Sequence, residues 1–272
     1  MKHTAIKSAL MRLMAVFLLS MGTATASAQY YMNVVKKGGD TIQYPVSDIE
    51  CVIITDQKIN EFVDLGLSVK WATCNVGAEK PEDFGDYFAW GETEPKTDYS
   101  WSTYKWCNGS ASTLNKYCRF SEYGNEGFTD TLMVLSPEDD VAHVKWGGCW
   151  RMPTMLEQDE LLNNCTWTWY GSGNSEFNGV AGYKVTSNIE GYTDRSIFLP
   201  AAGYRRGERL DLTEEGYYWS SWVFPGSPAT GGPFFAVSLE FYSDSYYTHR
   251  DYRNYGFTVR PVCPSMLKLR SL

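Results

Sequence analysis

Five segments in the second half of the chain have strand character: YKVTSN, SIFLPAAGYR, YYWSSW, FFAVSLEF and GFTVRPV. Each alternates or masses apolar and aromatic side chains over a strand's length, and clusters of Gly, Ser and Asn divide them. Strands this short and this close in sequence pair with their neighbours, so the pattern predicts a meander. Helix signals occur in two earlier stretches. In SPEDDVAHVKWGG, Ser136 is the expected N-cap, Pro137 takes the first helical position, Asp139 completes a capping-box spacing and Gly147-Gly148 ends the helix. The acids Glu138, Asp139 and Asp140 then face the helix dipole. In PTMLEQDELLNNC, Thr154 caps with Glu157 three residues on, and Met155, Leu156, Asp159 and Leu162 mark a stripe around Leu161-Leu162. Helices early and strands late predict an α+β domain. Hydrophobic residues at 43% supply a core, so the chain is not disordered.

The N-terminus reads as a secretory leader over residues 1–28. Lys2, Lys7 and Arg12 are its basic region, Leu13 to Met21 its apolar core, and Ala26-Ser27-Ala28 its cleavage site. Its apolar run is shorter than the ~20 residues a membrane span needs. No Cys follows the cleavage site and no later segment is apolar enough to cross. The expectation is an exported protein (periplasmic, cell-surface or extracellular) with no membrane insertion after cleavage. Residues 29–57 read as a small β segment: MNVVKK, a KGGD turn, TIQY, then IECVII. The main domain follows at 61–264, with a tail at 265–272. A net charge of −8, with no basic run outside the leader, excludes nucleic acid as a partner.

Seven cysteines follow the leader: Cys51, Cys74, Cys107, Cys118, Cys149, Cys165 and Cys263. Export permits disulfides, and the odd number leaves at least one thiol unpaired within the chain. Cys107 and Cys118 bracket a short polar segment and are the best local pair; the alternative is that most are small buried apolar residues. No C-x-x-C occurs and only His143 and His249 follow the leader, so no zinc site and no cofactor are expected. G-x-S-x-G, H-E-x-x-H, G-x-x-x-x-G-K-[ST] and G-x-G-x-x-G are absent. His143 lies in a helix and reads as packing or capping. His249 is placed to touch a ligand but has no sequence neighbour that would make it a base. No catalytic residue is expected.

Aromatic residues are the stronger signal. Trp167 and Trp169 alternate in CTWTWYGSG, and Trp219 and Trp222 flank Ser-Ser in YYWSSW. Either they pack inward or they offer a stacking surface to a sugar or a protein. Five ordered segments, EFVDLGLSVKWATCNVGAEKPEDFGDYFAWGETEPK, WGGCWRMPTMLEQDELLNNCTWTW, IFLPAAGYR, GYYWSSW and GFTVRPV, resemble the Fibrobacter succinogenes major paralogous domain family. They cover nearly all of 61–263. The opening β segment is similar to one that begins many exported proteins of Bacteroides-type bacteria. The resemblance implies a C-type lectin-like fold: two helices, a mixed antiparallel sheet and a long loop region before the last strand. The lectin calcium motifs are missing, because Glu94-Pro95 runs into Lys96 and no Trp-Asn-Asp follows. A formylglycine-generating enzyme shares the fold in outline, but Cys263 has no close partner in sequence with which to carry over its activity.

One stretch is compositionally singular. The fourteen residues from Tyr242 to Tyr255 are all Tyr, Ser, Asp, Thr, His, Arg or Asn. In C-type lectin-like proteins the segment before the last strand forms an exposed binding face. Tyr242, Tyr246, Tyr247, Tyr252 and Tyr255 supply contact area at low entropic cost, while Asp244, Asp251 and Asn254 supply adaptable polar contacts, as in an antibody paratope. Arg250 and Arg253 add bidentate or stacking contacts, His249 is placed to touch the ligand, and Trp219 and Trp222 are expected beneath or beside them. Some proteins of this fold are targets of diversity-generating retroelements that rewrite adenines in Asn-type codons, and those seven residue types are among the products. Turn-rich β loops favour the same composition. The reading is a non-enzymatic recognition or adhesion module for a protein or glycan ligand. The alternatives are a cell-envelope glycan-active enzyme, with two carboxylates about 5 to 10 Å apart in a cleft, or a structural surface protein with no specific ligand.

Overall fold

The computed structural model describes residues 31–35, 41–46, 61–211, 214–224, 226 and 232–264. The leader, the expected third strand of the β segment, Cys51 and the tail lie outside the described residues. The chain divides into two compact units, 1–49 and 50–272. In the first, β1 (Tyr31–Val35) pairs antiparallel with β2 (Thr41–Pro45), Tyr31 opposite Pro45.

The second unit is α+β. Strands β3 (Phe62–Val63) and β4 (Val69–Ala72) open it, and helices α1 (Val141–Trp146) and α2 (Met155–Asn164) follow a long region built from single bridges and 3-10 turns. The meander then runs β5 (Cys165–Tyr170), β6 (Gly182–Ser187), β7 (Ser196–Pro200), β8 (Tyr204–Arg206), β9 (Arg209–Asp211), β10 (Gly216–Val223), β11 (Phe235–Tyr242) and β12 (Ser245–Tyr252). The last strand, β13 (Val262–Pro264), returns to pair with β4, so the sheet order there is β13-β4-β3 and the domain's two ends are zipped together. Strands β5-β6-β7 and β10-β11-β12 form two further antiparallel sheets. No helix among the described residues is long and apolar enough to cross a membrane.

Strand alternation divides the core in two. Tyr218, Leu239 and Phe241 point to a cluster with Trp71, Leu161, Trp167 and the β5-β6-β7 sheet. Their neighbours Tyr217, Trp219 and Ala236 point the other way, to Phe88, Trp90, Phe257 and Val259. Trp219 is wholly buried, its ring stacked 4.1 Å from Phe257 and its Nε1 donating to Phe88 O at 2.8 Å. The expectation that it touches a ligand is therefore corrected. The backbone leaves no room at Gly216, where a Cβ would sit 2.0 Å from the Phe241 ring.

The helix starts show which caps were legible. The Thr154–Glu157 capping box is formed in full. Thr154→Ala is expected to cost about 1 kcal/mol of stability, the usual loss of an N-cap, by urea unfolding. The buried face of α2 is Gln158 and Leu161, with Leu156 exposed, because Gln158 Nε2 donates to Tyr218 O at 3.1 Å. At α1 the expected Ser136 cap is replaced: Pro137–Asp139 is a separate 3-10 turn and Asp140 caps, accepting from His143 N at 3.1 Å. Asp139 does not serve a dipole. It is buried, 2.6 Å from both Lys116 Nζ and Tyr117 Oη.

The expected Cys107–Cys118 pair is also corrected. Both are free and buried, and the disulfide joins Cys149 to Cys263. It staples the loop after α1 to β13, beside Trp150 and Ala72.

Candidate functional site

The Tyr242–Tyr255 stretch is an edge strand rather than a loop. Tyr242 pairs with Ser245 across a two-residue turn, so Asp244 sits exposed at the tip and β12 runs back along β11 as the outer strand of its sheet. Alternation then splits the stretch. On one side Tyr246 stacks on Trp167 at 4.7 Å, Thr248 Oγ1 donates to Asp159 of α2 at 3.2 Å, and Arg250 lies over Phe224 at 4.5 Å. On the other side stand Tyr247, His249 and Asp251, opposite Glu240, Ser238 and Ala236 respectively. Tyr246, Tyr247 and Tyr252 each keep 39–40% of their surface exposed. His249 and Arg250 are exposed too, while Tyr242 and Tyr255 are half-buried.

Three of the expected contact residues leave this face. Arg253 and Asn254 follow β12 and turn inward. The Arg253 guanidinium is fully buried among Tyr104 Oη and the carbonyls of Tyr117, Pro233 and Lys116, all at 3.1 Å. Asn254 Nδ2 donates to Tyr99 O at 2.7 Å. Each ties the long loop region to the sheet, so the expectation that they contact a ligand is corrected. Trp222 is half-buried, bridged to Val134, and separated from β12 by β11.

A polar cluster underlies the exposed side. Ser238 Oγ is 2.8 Å from Asp251 Oδ2 and 3.2 Å from Glu240 Oε1, and His249 Nδ1 is 3.2 Å from the same Glu240 oxygen. His249 therefore does have a carboxylate neighbour, contrary to the expectation from sequence. Burial, reinforced by the adjacent Asp251 carboxylate, pushes the Glu240 carboxyl far above the usual carboxylate range. Tyrosines fence the cluster: Tyr247 lies 6.2 Å from Tyr242 and 6.0 Å from His249, centroid to centroid. Tyr217 Oη donates to Glu215 at 2.7 Å. Burial raises the Tyr217 and Tyr247 phenols above their ordinary value, so both remain neutral donors at neutral pH. No sequence motif marks this cluster, because its members meet only through the register of β11 and β12.

A separate cleft of about 370 Å³ is lined by Asp140, His143, Trp150, Arg151, Thr154 and Ser221 among others. Its charged groups already hold the fold. Asp140 accepts from the His143 and Met152 amides, and Arg151 forms a two-pronged ion pair with Glu157 at 2.8 and 2.5 Å. His143 Nδ1 lies 3.3 Å from Trp150 O, in agreement with a packing or capping role.

Set against known protein families, curated proteins and solved structures, the chain matches none.

Proposed function

We propose that the chain is an exported, non-enzymatic recognition module that holds a protein or glycan ligand against the exposed edge formed by β12. The observation that carries this reading is the edge strand itself. Eight residues, Ser245–Tyr252, sit outermost in their sheet. Strand backbone at a sheet edge offers groups that an added strand can pair with. Tyr247, Tyr252, His249 and Arg250 project around it with the amphipathic, low-entropy character of a paratope. A strand edge fringed by aromatic side chains suits an extended partner, so a protein ligand is the favoured arm and a glycan the second.

Three antiparallel three-stranded sheets, two helices and a long irregular region are compatible with the C-type lectin-like fold that the resemblance implies. The Cys149–Cys263 disulfide supports export, since such bonds persist in oxidising compartments. The glycan-active enzyme is less favoured. Glu240 and Asp251 lie within 4.8 Å of each other and both face the Ser238 hydroxyl, closer than the roughly 5 to 10 Å that a glycosidase pair keeps for the sugar or water between them. If the stretch is diversified by codon rewriting, the buried Arg253 and Asn254 set its limit, because variation there would undo the core.

The test is a glycan-array and cell-surface binding screen of residues 29–272 beside the Tyr247→Ala, Arg250→Ala, Tyr252→Ala triple variant. Tyr246 is left intact because it packs on Trp167. Tyr252 and Arg250 also rest on Phe235 and Phe224, so the variant's fold is checked first by urea unfolding, and the folded triple variant is expected to bind at least ~10-fold more weakly, as for loss of an interface hot spot. Equal binding by both proteins sinks the site. No binding by either supports the structural surface protein.

A further inference from the structure

Three donor atoms from two neighbouring strands converge under the tyrosine fence. Glu240 Oε1, His249 Nδ1 and Asp251 Oδ2 all lie within 4.8 Å of one another. The imidazole nitrogen is 3.2 Å from the Glu240 oxygen and 3.8 Å from that of Asp251. Nitrogen and oxygen donors bound to one ion at about 2.1 Å stand about 3.0 Å apart at right angles and about 3.4 Å apart in a tetrahedron. The two distances from the imidazole fall within a few tenths of an ångström of those values, and the two carboxyls stand within 4.8 Å of each other.

We propose that Glu240, His249 and Asp251 form a site for one divalent transition-metal ion of the zinc class, with a coordination position open to solvent. Donor chemistry selects that class. One imidazole with two carboxylates suits zinc and its neighbours, whereas calcium takes about 6–8 oxygens, far more than converge in this cluster. Preorganisation is supplied by the sheet: Glu240 is on the central strand, and His249 and Asp251 are two residues apart on one side of β12. Ser238, wholly buried, holds its hydroxyl 2.8 Å from Asp251 and 3.2 Å from Glu240, so its one proton orients the nearer carboxylate from behind, as outer-shell partners of metal ligands do. The open side is given by His249, whose side chain is 52% exposed.

Charge is a second and independent observation. The Glu240 side chain is only 5% exposed. Among the described residues, no Lys or Arg forms an ion pair with Glu240 or Asp251; the imidazole is their one basic partner. The other buried or half-buried acids with ion pairs have Lys or Arg partners: Glu92 with Lys96, Asp139 with Lys116 and Glu157 with Arg151. A cation that binds at this cluster therefore displaces no Lys or Arg partner from either carboxyl. The sequence expectation of no zinc site rested on the lack of C-x-x-C and on only two histidines after the leader; these ligands instead come from an H-x-D pair on one strand and a glutamate across the hairpin.

The site is tested on the protein comprising residues 29–272, stripped with EDTA and dialysed. It is titrated with zinc chloride by calorimetry and with cobalt chloride by visible absorption. The expected result is saturation at one ion per chain, with a cobalt band that zinc abolishes. His249→Ala and Asp251→Asn are each expected to weaken binding at least ~10-fold, and His143→Ala to leave it unchanged. His249 is exposed, so its variant keeps the fold and the comparison stands even if Glu240→Gln does not fold. Failure to saturate at one ion below millimolar metal overturns the site. So does binding that His249→Ala and Asp251→Asn leave intact.

Discussion

Replacing both Cys149 and Cys263 with Ser is expected to lower the stability of the main domain by about 4 kcal/mol. The two residues are 114 apart in sequence, so the bond closes a loop spanning more than half of the domain. In the chain-entropy account a loop of about 100 residues contributes about 4.7 kcal/mol by restricting the unfolded ensemble. The folded contacts nearby do not depend on the bond. Val262 pairs with Trp71 on β4 and exchanges backbone hydrogen bonds with Arg151. The double variant should therefore keep its near-ultraviolet spectrum in buffer and differ in its denaturation midpoint. Guanidinium unfolding of wild type and variant measures this, and a difference under about 1 kcal/mol would mean that the unfolded chain stays compact without the bond. Peptide mapping of the unreduced protein should recover Cys149 and Cys263 linked, with Cys107 and Cys118 alkylated separately.

That disulfide also shows where reading the sequence stops. Proximity along the chain favoured Cys107 with Cys118, but each thiol is engaged locally: Cys107 Sγ donates to Trp101 O at 3.1 Å and Cys118 Sγ to Phe120 O at 3.2 Å. The true pair is set by β13 returning to β4, a contact no local pattern encodes. Local chemistry was legible where one turn of chain suffices, as at the Thr154–Glu157 box. It misled where the turn had an alternative. Asp140 outcompetes Ser136 as the α1 cap because its carboxylate also receives the Met152 amide. Strands β6, β7, β10 and β11 were legible from alternation, whereas β12 read as a binding segment and most of GFTVRPV meets its neighbours through single bridges ahead of β13. The site was legible only as composition: Tyr247, Tyr252, His249 and Arg250 do lie exposed, but the Glu240 and Ser238 beneath them belong to an apolar-looking run, FFAVSLEF, that read as core. Arg253 shows the converse error, a charged residue in a polar stretch that the fold carries inward.

Arg253→Ala is expected to cost about 4 kcal/mol, near the upper end for single substitutions. Among the described residues the guanidinium has no carboxylate partner. It is held by Tyr104 Oη and three carbonyls, and it lies 5.1, 5.4 and 5.8 Å from the ring centres of Trp90, Tyr104 and Tyr117. Burying the cation costs desolvation, which its weak hydration and the ring faces reduce. Truncation relieves that cost but leaves the three carbonyls without this donor, each worth about 1–3 kcal/mol when buried and unmet, while Tyr104 keeps its bond to Trp90 O, and it opens a cavity beneath Trp90. The loss therefore wins. Arg253→Lys should recover part of it, because an ammonium keeps the charge but cannot span acceptors placed around a planar fork. Arg253→Met should fill the volume yet leave the acceptors unpaired, so it falls nearer to Ala than to Lys. Urea unfolding of the three variants gives the order, with wild type most stable, then Lys, then Met, then Ala. The same series separates core from contact. A ligand-facing arginine would lose binding with stability changed by about 0.5 kcal/mol or less, whereas Arg253 in the core loses stability first and affects any ligand only through the position of β12.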